Sequence, residues 1–193
     1  DLYDPRNPNK APYDREWLAI FRAAQVARNR KITAMARDQL LKLKAKGGAE
    51  VERPFITHRT LAEPRFLDPT IDPNDREPYT SFLGNPETAN TGPVGLGRFS
   101  TLRSWLSQWS YDDSNADGET CARGVTVPLL AVENSADDGC LPHHMERISA
   151  AIPHDDVERH MIHGANHYYF GQPDKLAEAV GICAGWLGTK GWV

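Results

Sequence analysis

Cysteine is scarce in this chain, and no stretch of it is apolar enough to cross a bilayer as a helix. Only three cysteines occur in 193 residues, Cys121, Cys140 and Cys183, an odd number with no CxxC pair. That argues against a disulfide framework and fits a reducing, cytoplasmic setting. The longest apolar runs fall far short of the roughly 20 residues of a membrane-spanning helix. No basic-then-apolar leader opens the chain, and DLYDPRNPNK reads as interior sequence. Basic surplus is missing too. The formal net charge is −4 and the pI is near 6.0, so neither nucleic acid nor an anionic membrane is expected as a partner. Hydrophobic residues still make up 40%, enough for a packed core in a domain of ordinary size.

What is present falls into two parts. Residues 1–13 are polar and hold three prolines. Asp14 is placed to cap a helix, with Glu16 in its first turn. Trp17, Phe21, Ala24, Ala27, Ile32, Met35, Leu40 and Leu43 follow at helical spacing. They predict one long helix, or two with a bend, over 14–46, stopped by Gly47-Gly48. The basic residues of this helix read as a solvated face. Seven prolines then interrupt 49–97, yet Phe55, Ile56, Leu61, Phe66 and Phe82 are too apolar for a disordered linker. Such a segment is expected to lie over another surface. Over 98–110, Leu102, Trp105, Leu106 and Trp109 share one face of a predicted helix. Residues 1–110 thus read as a lid- or cap-like segment, helical and then irregular.

From residue 111 to 193 the character changes to α/β. Val125–Glu133 is a near-continuous apolar run, as in a strand buried on both faces of a parallel sheet. A helix is expected over 142–152 and a second strand over Val157–Ile162. A closing helix, Pro173–Leu187, is expected to turn Leu176, Ala177, Val180, Cys183 and Leu187 inward. Strand, helix, strand, helix is a βαβ unit with a right-handed crossover.

Two loops follow the predicted strands, Asn134–Pro142 and His163–Tyr169. In open α/β sheets, ligands bind at the carboxyl ends of strands. A hydrolytic triad needs a carboxylate to orient an imidazole, and an imidazole to activate a nucleophile. Asp137 or Asp138 on the first loop and His167 on the second meet the first need across strands about 4.8 Å apart. Gly164 lets the backbone turn between β-structure and His167. Blander roles compete. Either aspartate can cap the following helix. A zinc reading of His160, His163 and His167 is opposed by Gly164 and the strand pattern, which break the helical spacing such a pair uses. Cys140 reads as structural, His143 and His144 as helix-start residues, and G-P-V-G-L-G before Arg98 as a plain loop. Trp105 and Trp109 read first as packing residues. No metal and no cofactor is expected.

The strand, N-S-A-D-D-G-C-L-P, a helix, a strand, then G-A-N-H and a last helix resemble the C-terminal part of the α/β-hydrolase family over about 124–188. Residues 1–123 are similar, less specifically, to its variable lid. The resemblance implies the C-terminal half of that fold, with its last two parallel strands and flanking helices. In that family the order along the chain is nucleophile, acid, histidine. His167 then takes the position of the triad base and Asp137 that of the acid, with Asp138 the second choice. Tyr168 and Trp105 are candidate substrate contacts. The motif G-x-S-x-G, the oxyanion loop and the first five or so strands have no counterpart here, so the chain is expected to be a fragment, a processed product or one subunit of a split enzyme. The resemblance implies a hydrolase subunit acting on a carboxylic ester, thioester or lactone, as a heterodimer with an N-terminal half that carries the nucleophile and oxyanion hole. Two alternatives stay open: an aspartate nucleophile, as in epoxide and haloalkane hydrolases, and a non-catalytic binding or structural subunit that kept the fold.

Overall fold

The computed structural model describes residues 1–192, and the chain forms two compact units. The first takes residues 1–64 and 85–117. The second takes 65–84 and the chain from Gly118 onward. The segment 65–84, placed by the sequence reading within a lid segment 1–110, therefore belongs to the second unit. Val193, the last residue of the expected segment 111–193, lies outside the described residues.

In the first unit, α1 (Arg15–Lys46) is a single helix of 32 residues. The Asp14 carboxylate accepts the Trp17 N–H at 2.7 Å. Gly47 ends the helix at φ 67°, a conformation glycine adopts without strain, and its N–H reaches the Leu43 carbonyl. The face it buries runs through Thr33, Ala36 and Leu43, while Met35 stays exposed. A threonine sits in that stripe because its hydroxyl is doubly paired. It donates to Ser110 Oγ at 3.0 Å and accepts the Trp105 indole N–H at 3.2 Å. The basic face of α1 is not simply solvated: Arg22 pairs with Glu63, Arg30 with Asp112 and Arg37 with Asp113. Exposed pairs of this kind contribute about 0–1 kcal/mol each.

The rest of the first unit is built from short pieces: β1 (Pro54–Ile56), α2 (Pro86–Thr91) and β2 (Phe99–Thr101), with β1 and β2 antiparallel. Residues 98–110 are thus not one helix. β2 gives way to α3 (Leu102–Ser104), where Thr101 and Ser104 exchange side-chain-to-backbone bonds at 2.9 and 3.2 Å. A π turn follows over Trp105–Trp109. The apolar face read from the sequence survives this change. Leu102 and Trp105 are buried with Ala36 and Leu43, and Leu106 and Trp109 pack against them.

The second unit is α/β. β3 (Leu129–Asn134) and β4 (Val157–Ile162) are parallel, in register from Leu129 opposite Val157 to Asn134 opposite Ile162. Among the described residues these two strands pair only with each other. α4 (Gly118–Ala122) packs on α5 (Pro142–Ala151), the helix between the strands, and α6 (Pro173–Thr189) closes the unit. β3 begins four residues later than the apolar run Val125–Glu133 predicts. Pro128 has no N–H to give to a ladder, and Val127 is exposed. The inward face of α6 also differs from expectation. Ala179 and Ile182 pack with Ile162, Ala165 and Val132, whereas Leu176, Val180 and Cys183 are exposed. α6 is apolar on two sides, and the side with the small Ala179 approaches β4. No described helix is long and apolar enough to cross a membrane.

Candidate active site

The register of β3 and β4 brings their carboxyl ends level, so the two loops leave the sheet side by side. They are then laced together. The Ser135 N–H donates to the Ile162 carbonyl at 3.1 Å and the Ala136 N–H to that of Ala165 at 3.0 Å. Asn134 Nδ2 donates to the Asn166 carbonyl, and Tyr169 OH to Asn134 Oδ1, both at 3.0 Å. Gly164, at φ 72°, makes the turn out of β4, and its N–H donates to Ser135 Oγ at 2.8 Å. Gln172 staples the second loop from within, donating to the Gly164 carbonyl and accepting the Asn166 N–H.

This lacing sets Asp137 against His167. Asp137 is 5% exposed, and both of its carboxylate oxygens lie 3.0 Å from His167 Nδ1. Oδ1 also accepts the N–H groups of Gly139 and Cys140, each at 2.7 Å. Three donors fix the carboxylate in one orientation, and charge-assisted bonds of this type are the strong ones. With Nδ1 donating, Nε2 is the basic nitrogen, and it bonds to no described residue. The imidazole packs beside Phe82, with ring centroids 5.3 Å apart, and edge-on to Tyr168 at 4.5 Å. Below it, Gly139 is a necessity of space. A Cβ there would stand 2.9 Å from Nδ1 and 3.0 Å from Cε1. His167 faces a cavity of about 770 Å³ whose wall includes Ser81, Phe82, Asp138, Tyr168 and Phe170.

Of the two aspartates, Asp137 is the one on the imidazole. Asp138 lies on the cavity wall, and its carboxyl is pushed up, first by burial and then by the neighbouring Asp137 charge. Tyr168, a candidate substrate contact in the sequence reading, lies on the same cavity wall as His167. Trp105 does not join this group: it lies in the first unit, 3% exposed, within that unit's core. The Cys140 thiol is pushed up by burial and by Asp137 and Glu133, so it keeps its proton and suits a structural role. His143 contacts Asp72, and His144 Nδ1 accepts the Leu141 N–H at 3.2 Å, which places both at the start of α5. His160 pairs with Glu158 at 2.6 Å. Among the described residues, no group of His, Cys, Asp and Glu is arranged to hold a metal.

The sequence reading misses the segment that supports the acid loop. Asn74 Nδ2 donates to the Asp137 carbonyl at 2.6 Å. Asp75 accepts the Ser135 hydroxyl at 2.6 Å and gives its N–H to the Ser135 carbonyl at 2.8 Å. Behind them the buried Arg76 donates to the carbonyls of Arg65, Ile71 and Asp72, which shapes the loop around one guanidinium. The turn chemistry of Pro73-Asn74-Asp75 is visible in the sequence. Its partner, some 60 residues away, is not. No protein-family model, no curated protein and no solved structure matches the chain.

Proposed function

We propose that the second unit supplies the base and the acid of a hydrolytic triad, and that the nucleophile comes from a polypeptide outside this sequence. The observation that carries the reading is the His167–Asp137 pair. A buried carboxylate, fixed by two backbone amides, engages Nδ1 and leaves Nε2 without a partner among the described residues, on a ring that lines a cavity. That is the arrangement general-base activation of a hydroxyl requires.

In this reading a serine on an N-terminal half attacks the carbonyl of a carboxylic ester, thioester or lactone. His167 Nε2 takes the serine proton and returns it to the leaving group. Asp137 holds the tautomer and stabilises the imidazolium. Backbone N–H groups of the partner bind the oxyanion. The whole is an α/β-hydrolase core of which β3, β4, α5 and α6 are the C-terminal part, and Tyr168 and Phe82 wall the substrate.

The test is hydrolysis of 4-nitrophenyl acetate by the protein as isolated with whatever chain accompanies it. His167→Ala is expected to lower kcat by about 10³-fold or more with the thermal transition unchanged, as loss of a triad member does. Retention of more than about a tenth of the turnover removes the catalytic role.

A further inference from the structure

We infer that the cavity beside His167 is selective for an organic cation, so that the substrate of the proposed reaction carries an alkylammonium group. The inference rests on the reading of this cavity as a substrate site and adds the charge of the substrate. Three carboxylates lie on its wall, those of Asp75, Glu77 and Asp138, with no lysine or arginine among the described residues that line it. None of the three forms an ion pair with a described residue, and the Asp75 carboxylate accepts only the neutral Ser135 hydroxyl. Elsewhere in the same unit carboxylates are matched: Glu133 with Arg159, Asp156 with Lys190, and Glu119 with Arg123 and Arg147. Unmatched charge of one sign gathered in a cleft concentrates ligands of the other sign.

The buried Arg76, behind the acid loop, offsets part of this charge. Its pull on Asp138 is weaker than the opposing effects of burial and of the Asp137 carboxylate, so the Asp138 carboxyl is pushed up. A further anion beside Asp138 adds to that cost, whereas a cation removes it. Asp75 and Glu77 are exposed, so each contributes modestly and is screened by salt, and the preference is their sum with Asp138. The rest of the wall decides which cation. No group of His, Cys, Asp and Glu among the described residues is arranged to hold a metal, so the charge is spread along the cavity rather than focused on a compact ion. Phe82, Tyr168 and Phe170 line the same space, and the last two rings are largely exposed and open to a ligand. Aromatic faces attract weakly hydrated ammonium heads. Negative charge spread over about 770 Å³ beside three aromatic rings therefore suits an alkylammonium group.

The test is calorimetric titration with choline and with 3,3-dimethylbutan-1-ol, which has the same shape without the charge. Both are titrated into the protein as isolated, with any partner chain present, and into Glu77→Gln. Glu77 is exposed and its carboxylate holds no described residue, so the substitution leaves the fold intact. Choline is expected to bind the wild type about tenfold more tightly than the neutral alcohol. Glu77→Gln is expected to cut that preference by about threefold, through weaker choline binding alone. Equal binding of the two alcohols by the wild type, or a preference that Glu77→Gln leaves intact, would overturn the inference. Neither alcohol can be hydrolysed, so both outcomes are independent of the nucleophile. The acetate esters of the two alcohols report on hydrolysis separately. Selective binding of choline with neither ester turned over would keep the cation site and remove the hydrolase reading instead.

Discussion

Asp137 and Asp138 are neighbours in sequence and opposites in environment. Asp137 receives three N–H groups, whereas Asp138 is desolvated beside a second carboxylate. Asp137→Asn is expected to keep both amide bonds through Oδ1 and turn its Nδ2 toward the imidazole. His167 Nδ1 must then accept, the proton moves to Nε2, and the base is lost. The expected fall in kcat is about 10³- to 10⁴-fold. Asp138→Asn is expected to leave kcat within a few-fold and to act on stability instead. The folded Asp138 keeps its proton to higher pH than the unfolded one. The folded state therefore binds more protons between the two pKa values, and stability falls as pH rises through that window. The variant lacks this fall. Thermal unfolding of both variants between acid and neutral pH, beside kcat, checks the assignment, and a reversed ranking of activities moves the triad acid to Asp138.

Among the elements, α6 shows how little of a helix's orientation its composition determines. Leu176, Val180 and Leu187 form one apolar stripe, and Ala179, Ile182 and Trp186 another, both at helical spacing. Hydrophobic periodicity cannot choose between them, and the choice falls to the stripe with Ala179, whose methyl admits close approach to Ile162 and Ala165. Ala179→Leu is therefore expected to destabilise by about 1–3 kcal/mol through overpacking. Val180→Lys, at a position 60% exposed, is expected to change stability by less than about 0.5 kcal/mol. Urea denaturation of the two variants decides which face is inward; the opposite ranking would turn the helix over. α1 makes the complementary point. Its ends are legible from Asp14 and Gly47, yet its buried stripe contains Thr33, which no hydrophobicity pattern marks, because the partner Ser110 lies far along the chain.

At the scale of the whole molecule, the second unit is an α/β arrangement with unfinished surfaces. β3 and β4 present outer edges that pair with no described strand, and Met161 on β4 and Leu176 and Val180 on α6 are exposed. Open strand edges and apolar faces favour association. The chain expressed alone is therefore expected to self-associate, and to become monodisperse only with a partner that supplies further strands across a large apolar interface. Sedimentation and thermal unfolding of the isolated chain test this. A soluble monomer with a sharp cooperative transition would end the half-core reading.

What the sequence determined by itself was local. The cap and stop of α1 follow from hydrogen bonds within one turn. The extent of β4 follows from its residues, whereas the start of β3 was not legible, because the apolar run from Val125 continues through Pro128 and masks its missing donor. His167 beyond Gly164, and an aspartate on the loop before α5, were legible as candidates because strand–loop–helix order shows in composition. Which aspartate meets the imidazole was decided by tertiary structure: the Gly139 and Cys140 amides are local to the acid loop, but the His167 contact comes from the loop after the next strand, and the brace from Asn74 and Asp75 exists only once 65–84 has packed against the acid loop.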